Sequence, residues 1–320
     1  MIEVPKAASS RSRLTALAWG LAATFSLFAT SLVVPLLGFF SGVIAPFPVI
    51  NARLFYDRFT ALAIFAGGAA AITALFGVQA GALYLLQCGT SALVLPELVL
   101  KGYGAARCIY WTVAVNLSFL LAAAIVFAVA GGNDLHLTAK HEIETSIAQA
   151  VALYEKSGVG GDELATLKRT MNMAAAMLVR IYPALATIVL ALVTAANVWL
   201  VRRISSIKAG VPLAAGEFQE FRVKEHLIWL LILAGFALVA DNPLLTTPAL
   251  NIVIVMCALY FIQGLSVILT IIARQTFSGF VRIFFWMMLV FQPYLAAVVA
   301  TIGIFDLWAD FRTPRKQENL

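Results

Sequence analysis

The sequence predicts an all-α fold: a polytopic bundle of about eight transmembrane helices with an extramembrane amphipathic helical hairpin. Composition is the first reason. Of 320 residues, 62% are hydrophobic and 12% charged, against roughly 45–50% and 25% in soluble domains. A soluble fold of this length has too little interior to hide that much apolar surface, whereas lipid can solvate it. Run length is the second reason, because several apolar stretches reach the ~20 residues that a helix needs to cross the hydrocarbon core. The third is periodicity: the alternation of a transmembrane barrel strand is absent, and lipid offers the backbone no hydrogen-bond partners, so the spans must be helices.

The elements follow in chain order. The first apolar run covers 14–40 and contains Pro35, where a kink or break is expected. It is too long for a signal peptide and reads as a retained anchor. Pro46 and Pro48 make 42–48 a turn. Runs at 60–76 and 78–95 are separated by little more than Gly77. Pro96, Gly102 and Gly104 punctuate the way to a fourth span at 109–130. The stretch 131–173 is polar but patterned. Ile143, Ile147, Val151 and Tyr154 recur at helical spacing. Asp162 is the expected N-cap of a second helix, with Leu164, Leu167 and Met171 on one face. That helix should run unbroken into the fifth span, 174–200. A basic connection at 202–225 leads to spans at 227–240, 249–272 and 283–303. The whole of 1–320 reads as a single integral membrane domain, with the hairpin inserted between the fourth and fifth spans.

The net charge of +6 does not indicate nucleic acid, because the cations lie in short clusters between apolar runs, as the positive-inside rule expects. The clusters Arg53/Arg58, Lys101/Arg107, Arg202/Arg203/Lys208/Arg222/Lys224 and Arg274/Arg282 fall on one side of an eight-span count, the cytoplasmic side of a bacterial inner membrane. The termini disagree: Lys6, Arg11 and Arg13, and Arg312, Arg315 and Lys316, would be external. Splitting the first run at Pro35 would reconcile the N-terminus but not the C-terminus. Cys88, Cys108 and Cys257 lack paired spacing and read as small core hydrophobes.

Absent motifs narrow the chemistry. No G-x-x-x-x-G-K-[ST], H-E-x-x-H or G-x-S-x-G run occurs, so the chain has no P-loop and neither familiar hydrolase signature. No acidic pair stands in mid-span to hold Mg²⁺. His136, His141 and Glu142 form the one His cluster, on the polar hairpin, and read as a solvated helix face. An enzyme, a metal and a cofactor are therefore not expected. Arg180 is the clearest charge inside a span. It could hold an anionic group beside Pro183, or simply snorkel to the interface. Glu97 and Lys101 are spaced for an i,i+4 pair, and Asp241–Asn242 for a helix end and turn. The uncharged polar residues Gln79, Gln87, Asn116, Asn197, Asn251, Gln263 and Gln292 must find partners in lipid. Interhelical hydrogen bonds, a ligand, or both could serve. Gln263–Gly264 is the preferred ligand contact, since Gln263 offers donor and acceptor while Gly264 admits a close approach. Asn116 and Gln292–Pro293 come next.

Two C-terminal segments carry a resemblance. Asn251 opens a span reading Gln263–Gly264–Leu265–Ser266, and the chain closes on Gly303, Asp306, Asp310 and Arg312 in the pattern G-x-x-D-x-x-x-D-x-R. This resembles the YybS-like family of bacterial integral membrane proteins, in which an N…qGLS span and a terminal lGxxDxxxDxR recur. The Pro46–Phe47–Pro48 turn, and Asn197 ahead of Arg202–Arg203, fit the same pattern. The resemblance implies a distant likeness to the substrate-binding subunits of energy-coupling-factor transporters, which dock a partner through an Ala-x-x-x-Ala ridge. Ala18 and Ala22 have that spacing, as close helix packing alone would also require. The expected function is a small-solute-binding or transport subunit without its own ATPase. Its site would draw on Gln263, Gly264, Asn116, Gln292 and Arg180, and its partners would be the bilayer, a small solute and a separate ATPase or membrane protein. The alternative is a non-catalytic scaffold in envelope assembly, working through the hairpin and the basic connection.

Overall fold

The computed structural model describes residues 10–131, 135–157, 161–208, 218, 221–240, 242–274 and 279–312, and among these every regular element is helical. Lys6, Asp241, Arg315 and Lys316, and the side chains of Arg11, His136, Lys208 and Arg282, lie outside the described residues. Among the described residues seven helical stretches are long and apolar enough to cross a membrane, or eight if one bent pair is counted as a span. Large apolar side chains such as Trp19, Phe59, Leu244 and Phe280 face outward, as expected where lipid is the solvent. The chain folds into two compact units, Met1–Val126 with Val189–Gly216, and Phe127–Ile188 with Glu217–Leu320.

In the first unit, α1 (Ser10–Val33) stops where Val34 turns extended, and α2 (Pro35–Ile44) starts afresh with Pro35 at its first position. A residue before proline is pushed out of the α region, so the 14–40 run is divided and does not form one span. The expected 42–48 turn shrinks to Ala45–Pro46, because α3 (Phe47–Phe55) resumes with Pro48 in its first turn, where no N–H is needed. The resulting spans are Ser12–Val33 and Leu37–Phe55. Asp57 caps α4 (Arg58–Phe76) by accepting the Thr60 N–H at 2.7 Å. That hydrogen bond, helped by Arg13 at 3.4 Å, holds the Asp57 carboxyl below its ordinary range. Gly77, at φ +91, turns the chain directly into α5 (Val78–Tyr84). A π-helical turn (Leu85–Gly89) and α6 (Thr90–Leu100) continue it.

Among the described residues the unit's core falls into three clusters, two of which tie distant helices together. Tyr84 lies between Phe28 and Phe65, at centroid distances of 5.1 and 5.6 Å. Ile50, Leu95, Val99 and Cys108 pack with Val198 and Val201, where Cys108 belongs to α7 (Ala105–Gly131). Glu97 pairs with Arg53 at 2.7 Å and not with Lys101 as expected. The helix ends at Leu100, so Lys101 is not carried one turn along the same face. The Arg13–Asp57 and Arg53–Glu97 pairs thus gather the ends of α1, α3, α4 and α6 together.

The second unit contains the hairpin. α8 (Leu135–Lys156) and α9 (Gly161–Lys208) are joined by an ion pair of Glu155 with Lys168 at 2.5 Å. Ile143, Ile147, Leu164, Leu167 and Met171 are half-buried and Val151 and Ala175 buried, so the predicted faces are the inward ones except at Tyr154, which is exposed near the end of α8. Asp162 sits in the first turn of α9 and not at its cap, since Gly161 begins the helix at φ +64. As expected, α9 runs on into the fifth span without interruption, over 48 residues. Pro183 lies inside it, and the Asn251 side chain bonds to the backbone on either side of that proline. Its Oδ1 accepts the Ala184 N–H at 2.8 Å and its Nδ2 donates to the Arg180 carbonyl at 2.7 Å.

The remaining elements are α10 (Leu227–Ala237), α11 (Pro243–Arg274), α12 (Gly279–Phe291) and α13 (Pro293–Ala309). The expected span at 227–240 is only 11 residues of helix, about 16 Å long and short of a ~30 Å hydrocarbon core. Asn242 forms the expected turn, its Oδ1 accepting the Leu244 N–H at 2.9 Å. The run 283–303 breaks at Gln292, which is extended before Pro293, and its two helices are bent by 107°.

Candidate functional site

The site is built on a place where two helix backbones touch. A Cβ on Gly264 of α11 would stand 1.8 Å from the Val299 carbonyl oxygen, and one on Gly303 of α13 would stand 2.0 Å from that of Tyr260. Only glycine permits that approach in lipid, where helix association relies on close packing and hydrogen bonds and not on water exclusion. Gly264 is therefore a packing residue and has no room to meet a ligand.

The contact positions two polar side chains. Gln263, fully buried, donates from Nε2 to Asp306 Oδ2 at 3.0 Å and accepts the Val223 N–H on Oε1 at 2.9 Å. Ser266, one turn along, donates to the Phe218 carbonyl at 2.8 Å and so ties the same approaching segment to α11. Asp310 ends α13 in the left-handed conformation at φ 38, which Asp tolerates better than most residues. Beyond it, the Arg312 guanidinium returns to Asp306 Oδ2 at 2.9 Å, and Arg222 pairs with Asp310. Asp306 and Arg312 are 1% and 6% exposed. Charges so buried persist only when paired and hydrogen-bonded.

Asp306 Oδ2 meets both Gln263 and Arg312, but its Oδ1 is buried without a hydrogen-bond partner. Beside it opens a pocket of about 460 Å³, whose wall includes Gln263, Asp306, Arg222, Lys224, Glu225 and His226. The arrangement offers the exposed charges of Arg222, Lys224 and Glu225 near its mouth, with Gln263 and Asp306 buried behind them. Among the described residues no cluster of three or more His, Cys, Asp or Glu is placed to hold a metal ion.

Of the five residues singled out from sequence, Gln263 lines this pocket and Gly264 backs it. Asn116 lies in the first unit on α7, 1% exposed, with its amide nitrogen unpaired. Gln292 is exposed at the α12/α13 break, and Arg180 is exposed on α9. Several other polar residues are held by ordinary hydrogen bonds. Gln87 donates to the Gly42 carbonyl at 3.1 Å, and Asn197 to those of Val43 and Val193 at 2.9 and 2.7 Å. Cys88 and Cys108 are buried as expected, whereas Cys257 is exposed on α11. Sequence reasoning did not select Asp306, Arg222, Lys224 or His226 as site residues. The available signal was an acid placed three residues after Gly303, near the end of an apolar run.

No curated protein and no solved structure matches the chain. Residues 22–307, which include Gln263, Gly264, Gly303 and Asp306, match the family described as "Predicted membrane protein (DUF2232)", and the chain belongs to that family.

Proposed function

We propose that the protein is a membrane-embedded subunit that binds a small polar solute in the pocket beside Gln263 and Asp306, as a binding or transport component of a bacterial inner membrane. The observation that carries this reading is a pocket of about 460 Å³ whose wall includes the buried Gln263 and Asp306 and the exposed Arg222, Lys224 and Glu225. A concave site with a few convergent polar groups is where a small solute is held and oriented. The chain has no P-loop, so ATP-driven transport would require a separate ATPase. Ala18 and Ala22 are exposed on one side of α1 and supply the small-residue ridge that the likeness to energy-coupling-factor subunits calls for.

The test is native mass spectrometry on protein extracted gently from its own membrane. The expected result is a co-released small molecule from the native chain and none from Gln263→Ala. A chain that arrives bare, or a ligand retained equally by Gln263→Ala, overturns the reading. Recovery with envelope proteins alone would favour the scaffold, for which the hairpin's outward Leu137 and Leu153 (60% and 66% exposed) would be the contact.

A further inference from the structure

The first unit presents two cations that no carboxylate offsets. Both oxygens of Glu97 are taken by Arg53, Oε1 by Nε at 2.7 Å and Oε2 by Nη2 at 3.2 Å. Asp57 is held by the Thr60 amide and by Arg13. Lys101 and Arg107 are exposed, and among the described residues neither forms an ion pair. The backbone keeps the two near each other. Gly102 closes α6 in the left-handed conformation at φ +77, donating to the Val99 carbonyl while the Tyr103 N–H donates to that of Leu98. α7 then starts at Ala105, so Lys101 ends one helix and Arg107 lies in the first turn of the next. The free N–H groups of that turn add partial positive charge to the same corner.

Below this corner, α7 has two faces. Cys108, Thr112 and Asn116 are buried, which leaves Arg107, Tyr110, Trp111, Val115 and Phe119 exposed to lipid. At 1.5 Å per residue, the Tyr110 and Trp111 rings stand about 5 Å deeper than Arg107, and Phe119 about 18 Å deeper. The two rings meet edge to face at 5.3 Å. Down one face the order is therefore cation, amphipathic ring pair, apolar side chain. A phospholipid in the adjoining leaflet has the matching order of phosphate, ester region and acyl chain, with Tyr and Trp favoured at the middle level.

We infer that the corner between α6 and α7 holds an anionic phospholipid, its phosphate between Lys101 and Arg107 and its chains along Trp111, Val115 and Phe119. This site is independent of the solute pocket, whose residues belong to the other unit. The positive-inside rule accounts for the side on which these cations lie, but it does not require a preference among lipids at one corner. That preference comes from the missing carboxylate. A zwitterionic headgroup brings an ammonium that two cations repel and no acid receives, whereas phosphatidylglycerol brings only the phosphate charge. Dissolved phosphate would meet the cations but gain nothing from the rings and aliphatic groups beneath them.

The experiment places the full chain in nanodiscs of equal phosphatidylglycerol, phosphatidylethanolamine and phosphatidylcholine and reads the lipids retained on ejection by native mass spectrometry. At least threefold more phosphatidylglycerol than either zwitterionic lipid is expected. Lys101→Gln with Arg107→Gln should abolish that preference, and Lys101→Arg with Arg107→Lys should keep it. Lys156→Gln with Arg169→Gln removes the same charge from exposed positions of the hairpin and should leave the preference intact. Should the doubly neutralised chain fail to fold, a photoactivatable phosphatidylglycerol still decides the matter, since it must crosslink to 105–119 of the native chain in preference to its other spans. Equal retention of the three lipids, a preference that survives neutralisation of Lys101 and Arg107, or one lost equally in the hairpin variant overturns the inference.

Discussion

Asn251 shows what a single polar residue does in lipid. Pro183 already removes one backbone donor from α9, and Asn251 then stands between the Ala184 N–H and the Arg180 carbonyl, the pair that would otherwise bond to each other. Asn251→Leu should leave both groups unpaired and cost about 1–3 kcal/mol, read as a lower thermal midpoint in detergent; an unchanged midpoint would mean that the helix closes the break itself. Asp57 is legible at the same scale. Its carboxyl is held below the ordinary range first by the Thr60 amide. Its contribution is therefore present above the ordinary carboxylate pKa and is lost as pH falls through the lower folded value. Asp57→Ala should cost about 1 kcal/mol at neutral pH, and the gap to the native chain should close in acid below roughly pH 4, as followed by thermal denaturation across pH. Gln263 could be read from sequence because an amide in mid-span must find a partner. Asp306 could not, because an acid near the end of an apolar run can equally be solvated.

At the scale of elements, lipid-length apolar runs with proline and glycine punctuation located most helices. The differences have local causes. Pro35 divides one run into two spans because the residue before proline leaves the helix. The 227–240 run looked long enough only because Leu238 to Ala240, beyond the helix end, are also apolar. The hairpin was visible as a change of period within a polar stretch, and its inward face matches that pattern. Exposed ion pairs contribute little, so Glu155–Lys168 is not what closes it, whereas Val151 is 8% exposed. Val151→Asp should raise amide hydrogen exchange throughout α8 and leave α11 and α13 protected; protection retained in α8 would show that the apolar face is not what holds it.

At the scale of the molecule, the ion pairs bear on sidedness. With α1 and the α2–α3 stretch as separate spans, Arg13 meets Asp57 and Arg53 meets Glu97, so the N-terminal cations join the first loop cluster. In the second unit, Arg222 meets Asp310 beside Arg312, so the end of α13 stands with Arg222. The positive-inside rule, applied to each unit by itself, then predicts a cytoplasmic position for Arg13 in the first unit and for Arg312 in the second. Single cysteines added at each terminus should react with an impermeant maleimide only in inverted vesicles, and labelling of either one in right-side-out cells would refute this arrangement.

Composition and run length were sufficient to determine that this chain dissolves in lipid as helices, because a backbone without water has no other way to satisfy its hydrogen bonds and because the apolar content exceeds what a soluble interior can hold. Which polar groups meet was decided only by the tertiary structure. Gln263 and Asp306 are 43 residues apart, and each alone is compatible with a lipid-facing, a solvated or a paired fate. The backbone contact at Gly264 and Gly303 brings them together. It sets both in the wall of a charged pocket, and that follows from two helix surfaces fitting, which no local pattern records.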